Sequence, residues 1–214
     1  MLLNKENPIP EYFYIFVNSN NIMATHNLKT GKCFISPNFA NMSMDSDYSE
    51  KYAKGTLKYL PFSPCENDIK AFSPYLLTAI NDYRIEYDAE LTRFQNYPLY
   101  PSRLSAIYAF DNLETCKIVS KKYGWDLSTV KKFKLEENPL SRVIKVNMEI
   151  VSLCKLAYRT SSIDKKTIES IWHSYWKGDK DFQMELLTPT LNRKIYKVDN
   201  IFEFLIEGKL NLVI

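Results

Sequence analysis

The sequence predicts an α+β fold built as one domain over residues 1–214, and three observations carry that expectation. Segments alternating with period two are interspersed with segments of helical period, without the regular β-α alternation of a doubly wound sheet. Hydrophobic residues make up 45% and charged residues 25% of the 214, the balance of a globular chain long enough to bury a sizeable core. No internal repeat and no linker-like stretch divides it.

The elements follow in order. Glu11–Val17, EYFYIFV, is an aromatic, β-prone run ending in the turn-rich Asn18-Ser19-Asn20-Asn21, and reads as a buried first strand. Residues 22–36 are expected to add one or two short strands around a turn at Gly31. Asn38–Ser63 lacks periodicity and reads as loop with one short helix near Asp47–Lys54. Ser73-Pro74 supplies an N-cap and a first-turn proline for a helix to about Gln95, with Leu76, Leu77, Ile80, Tyr83, Tyr87 and Leu91 along one face. Ser105–Phe110 reads as a short buried strand, and Asp111 with Glu114 has the spacing of a capping box that opens a helix to about Tyr123. Ser128–Leu135 and Arg142–Met148 alternate as strands; Glu149–Tyr158 and Asp164–Tyr175 have helical spacing. A strand opens at Gln183, another spans Arg193–Val198, and the tail from Ile201 is expected to hold a short amphipathic segment and a last strand.

Composition narrows the function classes. Twenty-eight Lys and Arg face 25 Asp and Glu, and the net charge of +3 permits a nucleic-acid partner without demanding one. Four widely spaced cysteines and two histidines argue against a zinc site or any other metal, and for free thiols in a reducing cytosol. The N-terminus lacks an apolar signal core and no run of about 18 apolar residues occurs, so a cytoplasmic protein without a membrane span is expected.

The chemistry-bearing stretch is Trp176–Leu187. A polar turn with Gly178 and aromatics at both ends runs into Gln183-Met184-Glu185, and strand alternation puts Gln183 and Glu185 on one face. A fixed carboxylate beside a mobile aromatic loop suits stabilisation of a developing cation, while a solvated strand end is the plain alternative.

Three pieces in order resemble the ADP-ribosyltransferase superfamily: the first aromatic strand, the Ser105-Ala-Ile-Tyr-Ala-Phe strand with its following helix, and Gln183-x-Glu185 behind an aromatic turn. The resemblance implies a split sandwich of two bent sheets with flanking helices clasping NAD, and a bacterial toxin or phage-defence branch. Glu185 would then stabilise the cationic ribose and Gln183 would set acceptor choice. Tyr14 or Arg103 would contact NAD in place of the Arg or His that the first strand lacks. Ser105 would hold the carboxylate or the ribose, and Tyr108 would stack on nicotinamide. A core ring for Tyr108, a strand-initiating hydroxyl for Ser105 and a surface ion pair for Arg103 stay open beside these roles. Trp176 and Phe182 as stacking surfaces and Arg93 as a phosphate contact favour RNA or DNA over protein as acceptor, unless the aromatics pack beneath the loop. A neutralising antitoxin partner follows by analogy. The alternatives are a non-catalytic interaction protein of this fold, an RNA-binding module, and modification of a protein side chain.

Overall fold

The computed structural model describes residues 2–18, 20–42, 46–59, 74–160, 165–187 and 192–213. Two compact units emerge, one of Met1–Leu57, Leu99–Lys145 and Ile201–Ile214, the other of Lys58–Pro98 and Val146–Asn200. The mixture of helices and antiparallel strands makes the protein α+β. Among the described residues no helix is long and apolar enough to cross a membrane.

The first unit begins with β1 (Phe13–Phe16), α1 (Ile22–Thr30), β2 (Cys33–Ile35), α2 (Pro37–Met42) and α3 (Ser46–Lys54). The second unit contributes α4 (Pro74–Asn96), after which the first resumes with β3 (Ile107–Ala109), α5 (Leu113–Tyr123), β4 (Val130–Leu135) and β5 (Arg142–Asn147). Then α6 (Met148–Thr160), α7 (Lys165–Lys177), β6 (Gln183–Leu187) and β7 (Arg193–Lys197) complete the second unit, and β8 (Phe202–Glu207) with β9 (Lys209–Leu212) close the first.

In the first unit, one sheet has the order β1-β4-β9-β2 and another β3-β8-β5. Tyr14 and Phe110 exchange backbone hydrogen bonds of 2.7 and 2.8 Å, tying the edge of β1 to the end of β3. Alternation then decides the core. Phe13, Ile15, Phe133 and Leu210 from the first sheet cluster with Ala109, Val143, Phe204 and Ile206 from the second, and Phe13 meets Phe204 edge-on at 5.5 Å. A single residue, Gly208, separates β8 from β9, so the chain passes from one sheet to the other there. An added Cβ at Gly208 would sit 3.0 Å from both Leu135 Cδ1 and Ser141 Oγ, so those side chains would have to shift by a few tenths of an ångström to admit it.

Five expectations are corrected. Residues 22–30 form α1 rather than strand, because the Asn21 side chain accepts from Ala24 N at 3.0 Å and caps a run of helix formers. The helix α5 is capped by Asn112, whose Oδ1 accepts from Thr115 N at 2.7 Å, while Asp111 faces Lys145 at 3.4 Å. The tail holds two strands, each paired in a different sheet, instead of an amphipathic segment and one strand. The predicted loop also contains α2, and β3 is shorter than Ser105–Phe110 because Ser102–Ser105 forms a turn. The Ser73 cap, the Asp164 helix start, residues 60–63 of the loop and Cys65 lie outside the described residues.

The second unit packs α4, α6 and α7 with a β6–β7 hairpin. Its interior holds Ile85, Ala89, Ile150, Cys154, Ile171, Trp172, Tyr175 and Trp176. Asn147 caps α6 by accepting from Glu149 N at 3.1 Å.

Candidate functional site

The structure gathers Arg103, Ser105 and Tyr108 on one face of the β3-β8-β5 sheet, around two acids that the sequence reading missed. In β8 the pairing sets Tyr108 opposite Leu205 and Ile107 opposite Ile206. Period two therefore puts Glu203, Leu205 and Glu207 on the Tyr108 face, and Phe204 and Ile206 on the core face.

Glu207 is 1% exposed. Its Oε1 accepts from Ser105 Oγ at 2.6 Å, from Asn38 Nδ2 at 2.6 Å and from the Ser102 backbone N–H at 3.3 Å. Asn38 is itself oriented: its Oδ1 accepts from the Tyr48 hydroxyl at 2.6 Å, and its Nδ2 also lies 2.9 Å from Ser105 Oγ. These are charge-assisted contacts in a closed setting, and the donors come from two separate stretches of chain. Among the described residues the second oxygen, Oε2, is buried and has no hydrogen-bond partner. A buried carboxylate oxygen without a donor is costly, so it marks a place where a ligand hydroxyl would be favoured.

The surroundings are held by the backbone. Ser36 Oγ accepts from Gly208 N at 3.1 Å and Ser36 N donates to Gly208 O at 3.0 Å, which fixes the residue after Glu207. Leu104 N donates to Ser102 Oγ at 3.1 Å, and Ser105 and Ala106 N–H groups return to Ser102 O, which fixes the Ser102–Ser105 turn. Four residues before Glu207 in the strand, Glu203 lies 3.9 Å from Arg103 with both side chains nearly closed to solvent. The Arg103 guanidinium stands 5.7 Å from the Tyr108 ring, and the Tyr108 hydroxyl donates to Arg103 O at 2.8 Å. Tyr108 is 37% exposed. Tyr14 lies on β1, half-buried, next to this sheet through its bonds with Phe110.

The remaining predicted residues belong to the second unit. Gln183 and Glu185 are exposed on β6, and Glu185 pairs with Arg193 at 3.0 Å. Trp176 is fully buried in α7 with its indole N–H donating to Ala89 O at 3.0 Å, and Phe182 is half-buried. Arg93 is buried against Glu90 at 2.7 Å and donates to Pro98 O at 3.1 Å, so its guanidinium is committed within the unit. Among the described residues no group of three or more His, Cys, Asp or Glu is arranged to hold a metal ion.

One signal for Glu207 was present in the sequence. Phe202-Glu-Phe-Leu-Ile-Glu carries acids inside an apolar run, and an acid on a buried strand requires built-in partners.

No curated protein matches the chain. A family model described as a protein of unknown function (DUF2441) matches residues 4–203, a span that includes Asn38, Ser102, Ser105 and Tyr108 and ends at Glu203, short of Glu207.

Proposed function

The chain belongs to the DUF2441 family, and on that premise we propose that it is an NAD-dependent ADP-ribosyltransferase whose working carboxylate is Glu207. The observation that carries this reading is the Ser105–Glu207 contact of 2.6 Å beside an unpartnered Oε2. Ser105, expected from sequence to hold Glu185 or the ribose, donates instead to Glu207, 102 residues further along.

The reaction breaks the bond between nicotinamide and ribose and passes ADP-ribose to an acceptor. Glu207 would receive a ribose hydroxyl at Oε2 while Ser105, Asn38 and Ser102 hold Oε1, so the charge is in place before the cation forms. Tyr108 would stack on the nicotinamide, with Arg103 beside it and the Arg103 charge balanced by Glu203. In the other unit, Gln183 and Glu185 are exposed polar groups on one face of a hairpin. Nucleic acid is the preferred acceptor and a cytoplasmic toxin or phage-defence setting the preferred context, both by resemblance. The near-complete burial of Glu207 favours a second reading, a non-catalytic protein in which the same cluster only stabilises the unit.

The test incubates the purified protein with radiolabelled NAD and a lysate containing RNA and protein. Glu207→Gln is expected to lower label transfer by about 10²–10³-fold, the scale of losing one electrostatic group at a transition state. Glu185→Gln in parallel decides between the two carboxylates. A folded wild type that neither transfers label nor releases nicotinamide would overturn the enzyme reading, and RNase or protease treatment identifies the acceptor class.

A further inference from the structure

A cleft of about 460 Å³ in the first unit is lined by Phe16, Asn18, Asn20, Trp125, Asp126 and Thr129. Its floor is built by the chain reversal after α5. Gly124 takes the left-handed conformation, φ 71°, and donates to Ser120 O at 2.8 Å, while Ser120 Oγ donates to Trp125 O at 2.6 Å. Asp126 then caps a 3-10 turn at Leu127–Thr129 by accepting from Ser128 N at 2.9 Å. Val17 N donates to Thr129 O at 3.1 Å, which joins that turn to the end of β1 and sets the width of the cleft.

The lining narrows the ligand. Phe16 meets Trp125 edge-on at 5.3 Å and the Tyr123 ring lies tilted against it at 5.8 Å, while Trp125 is still 42% exposed. Among the described residues no Lys or Arg lines the cleft, so its lining offers no cation to pair with a phosphate or a carboxylate. A lone carboxylate among amides does not assemble the oxygen ligands a divalent cation needs. What the cleft does offer is a stacking surface rimmed by donors and acceptors. Asn18 Oδ1 is taken by the Asn20 backbone N–H at 2.9 Å, which leaves the Asn18 NH₂ to donate. Asp126 is held below the usual carboxylate range by hydrogen bonds from the Ser128 side chain and backbone, and presents an acceptor at the cleft wall.

We propose that this cleft binds a purine base bearing an exocyclic amine, with adenine as the matching case. Its amine donates to Asp126, a ring nitrogen accepts from the Asn18 amide, and its two fused rings cover the indole better than a single pyrimidine ring would. An aromatic amino-acid side chain lacks that hydrogen-bonding edge. The site uses none of the groups around Glu207, so it stands apart from the transfer reaction. The base reaches it on a free nucleotide or on a single-stranded nucleic acid.

Calorimetric titration of the full chain with adenosine, AMP, inosine, a short oligoadenylate and N-acetyl-tyrosinamide tests this. Adenosine is expected to bind saturably, and Trp125→Ala to weaken it roughly 5- to 150-fold, the loss seen when a base-stacking aromatic is removed. Trp125→Phe should recover part of that loss, and inosine, which lacks the amine, should bind more weakly than adenosine. Asp126→Asn, which keeps the Ser128 cap, should narrow the difference between adenosine and inosine. An oligoadenylate tighter than AMP points to nucleic acid as the source, and equal affinities point to a free nucleotide. Unchanged adenosine binding in Glu207→Gln separates this site from the proposed reaction. No saturable adenosine binding by folded wild type, equal binding by Trp125→Ala, or binding of tyrosinamide alone would overturn the proposal.

Discussion

Ser105 and Glu207 show how far a single residue can be read. Ser105 stood out as a hydroxyl between Pro101 and a short apolar run, but the sequence pointed it at Glu185 whereas it donates to Glu207. Glu207 was not legible, since its acceptor role depends on Asn38, 169 residues away, and no local pattern encodes that distance. Physical consequence separates the acids as well. Ser105→Ala removes a donor from a buried carboxylate and is expected to cost about 1–3 kcal/mol in urea unfolding. Glu185→Ala breaks a pair whose partners are both largely exposed, and should cost less than about 1 kcal/mol in the same measurement. A reversed ranking would mean that the cluster around Glu207 does not hold the first unit together.

Elements were legible where periodicity was strong and local. The run Glu11–Val17 contains β1, and the expected helix near Asp47–Lys54 is α3. Boundaries of β4, β5, α6 and α7 fall within a few residues of their alternating or helical patterns. Residues 22–30 misled because His26 and Asn27 interrupt any apolar face, so capping at Asn21 rather than amphipathicity defines α1. The tail misled for the opposite reason. Its strand β8 is buried on both faces, and such a run carries no period to separate strand from helix. At this scale Gly124 offers a test: a Cβ there meets nothing within 4 Å, so only the backbone conformation opposes a side chain. Gly124→Ala should lower the unfolding free energy by about 1 kcal/mol. The same substitution should weaken adenosine binding, since Trp125 follows the turn; titration of the variant checks both ends of the argument.

For the molecule as a whole, pH dependence can be signed. Burial, and then the Asp88 carboxylate 2.5 Å from its hydroxyl, push Tyr158 far above its ordinary value of 10.0. A folded-state value above the unfolded one means that this contribution is fully present below pH 10 and is lost as pH rises beyond it. Urea midpoints measured from pH 8 to 11 should fall on the alkaline side, and Tyr158→Phe should flatten part of that fall. Thiol reactivity gives a second global reading. Burial pushes Cys116 up to about 11, so at pH 8 a disulfide reagent should modify half-buried Cys33 well before Cys116, which reacts only as the structure opens. The passage through Gly208 has a mechanical meaning. With one residue joining β8 to β9, the two sheets share a hinge too short to absorb displacement, and Ser36 clasps that residue on both sides. The donors to the adjacent Glu207 come from the helix after β2 in one sheet and from the turn before β3 in the other. Glu207 therefore works as a rivet: a ligand that draws on its second oxygen loads both sheets at once, and occupancy of the site should register as slowed hydrogen exchange in β2, β3, β8 and β9 together.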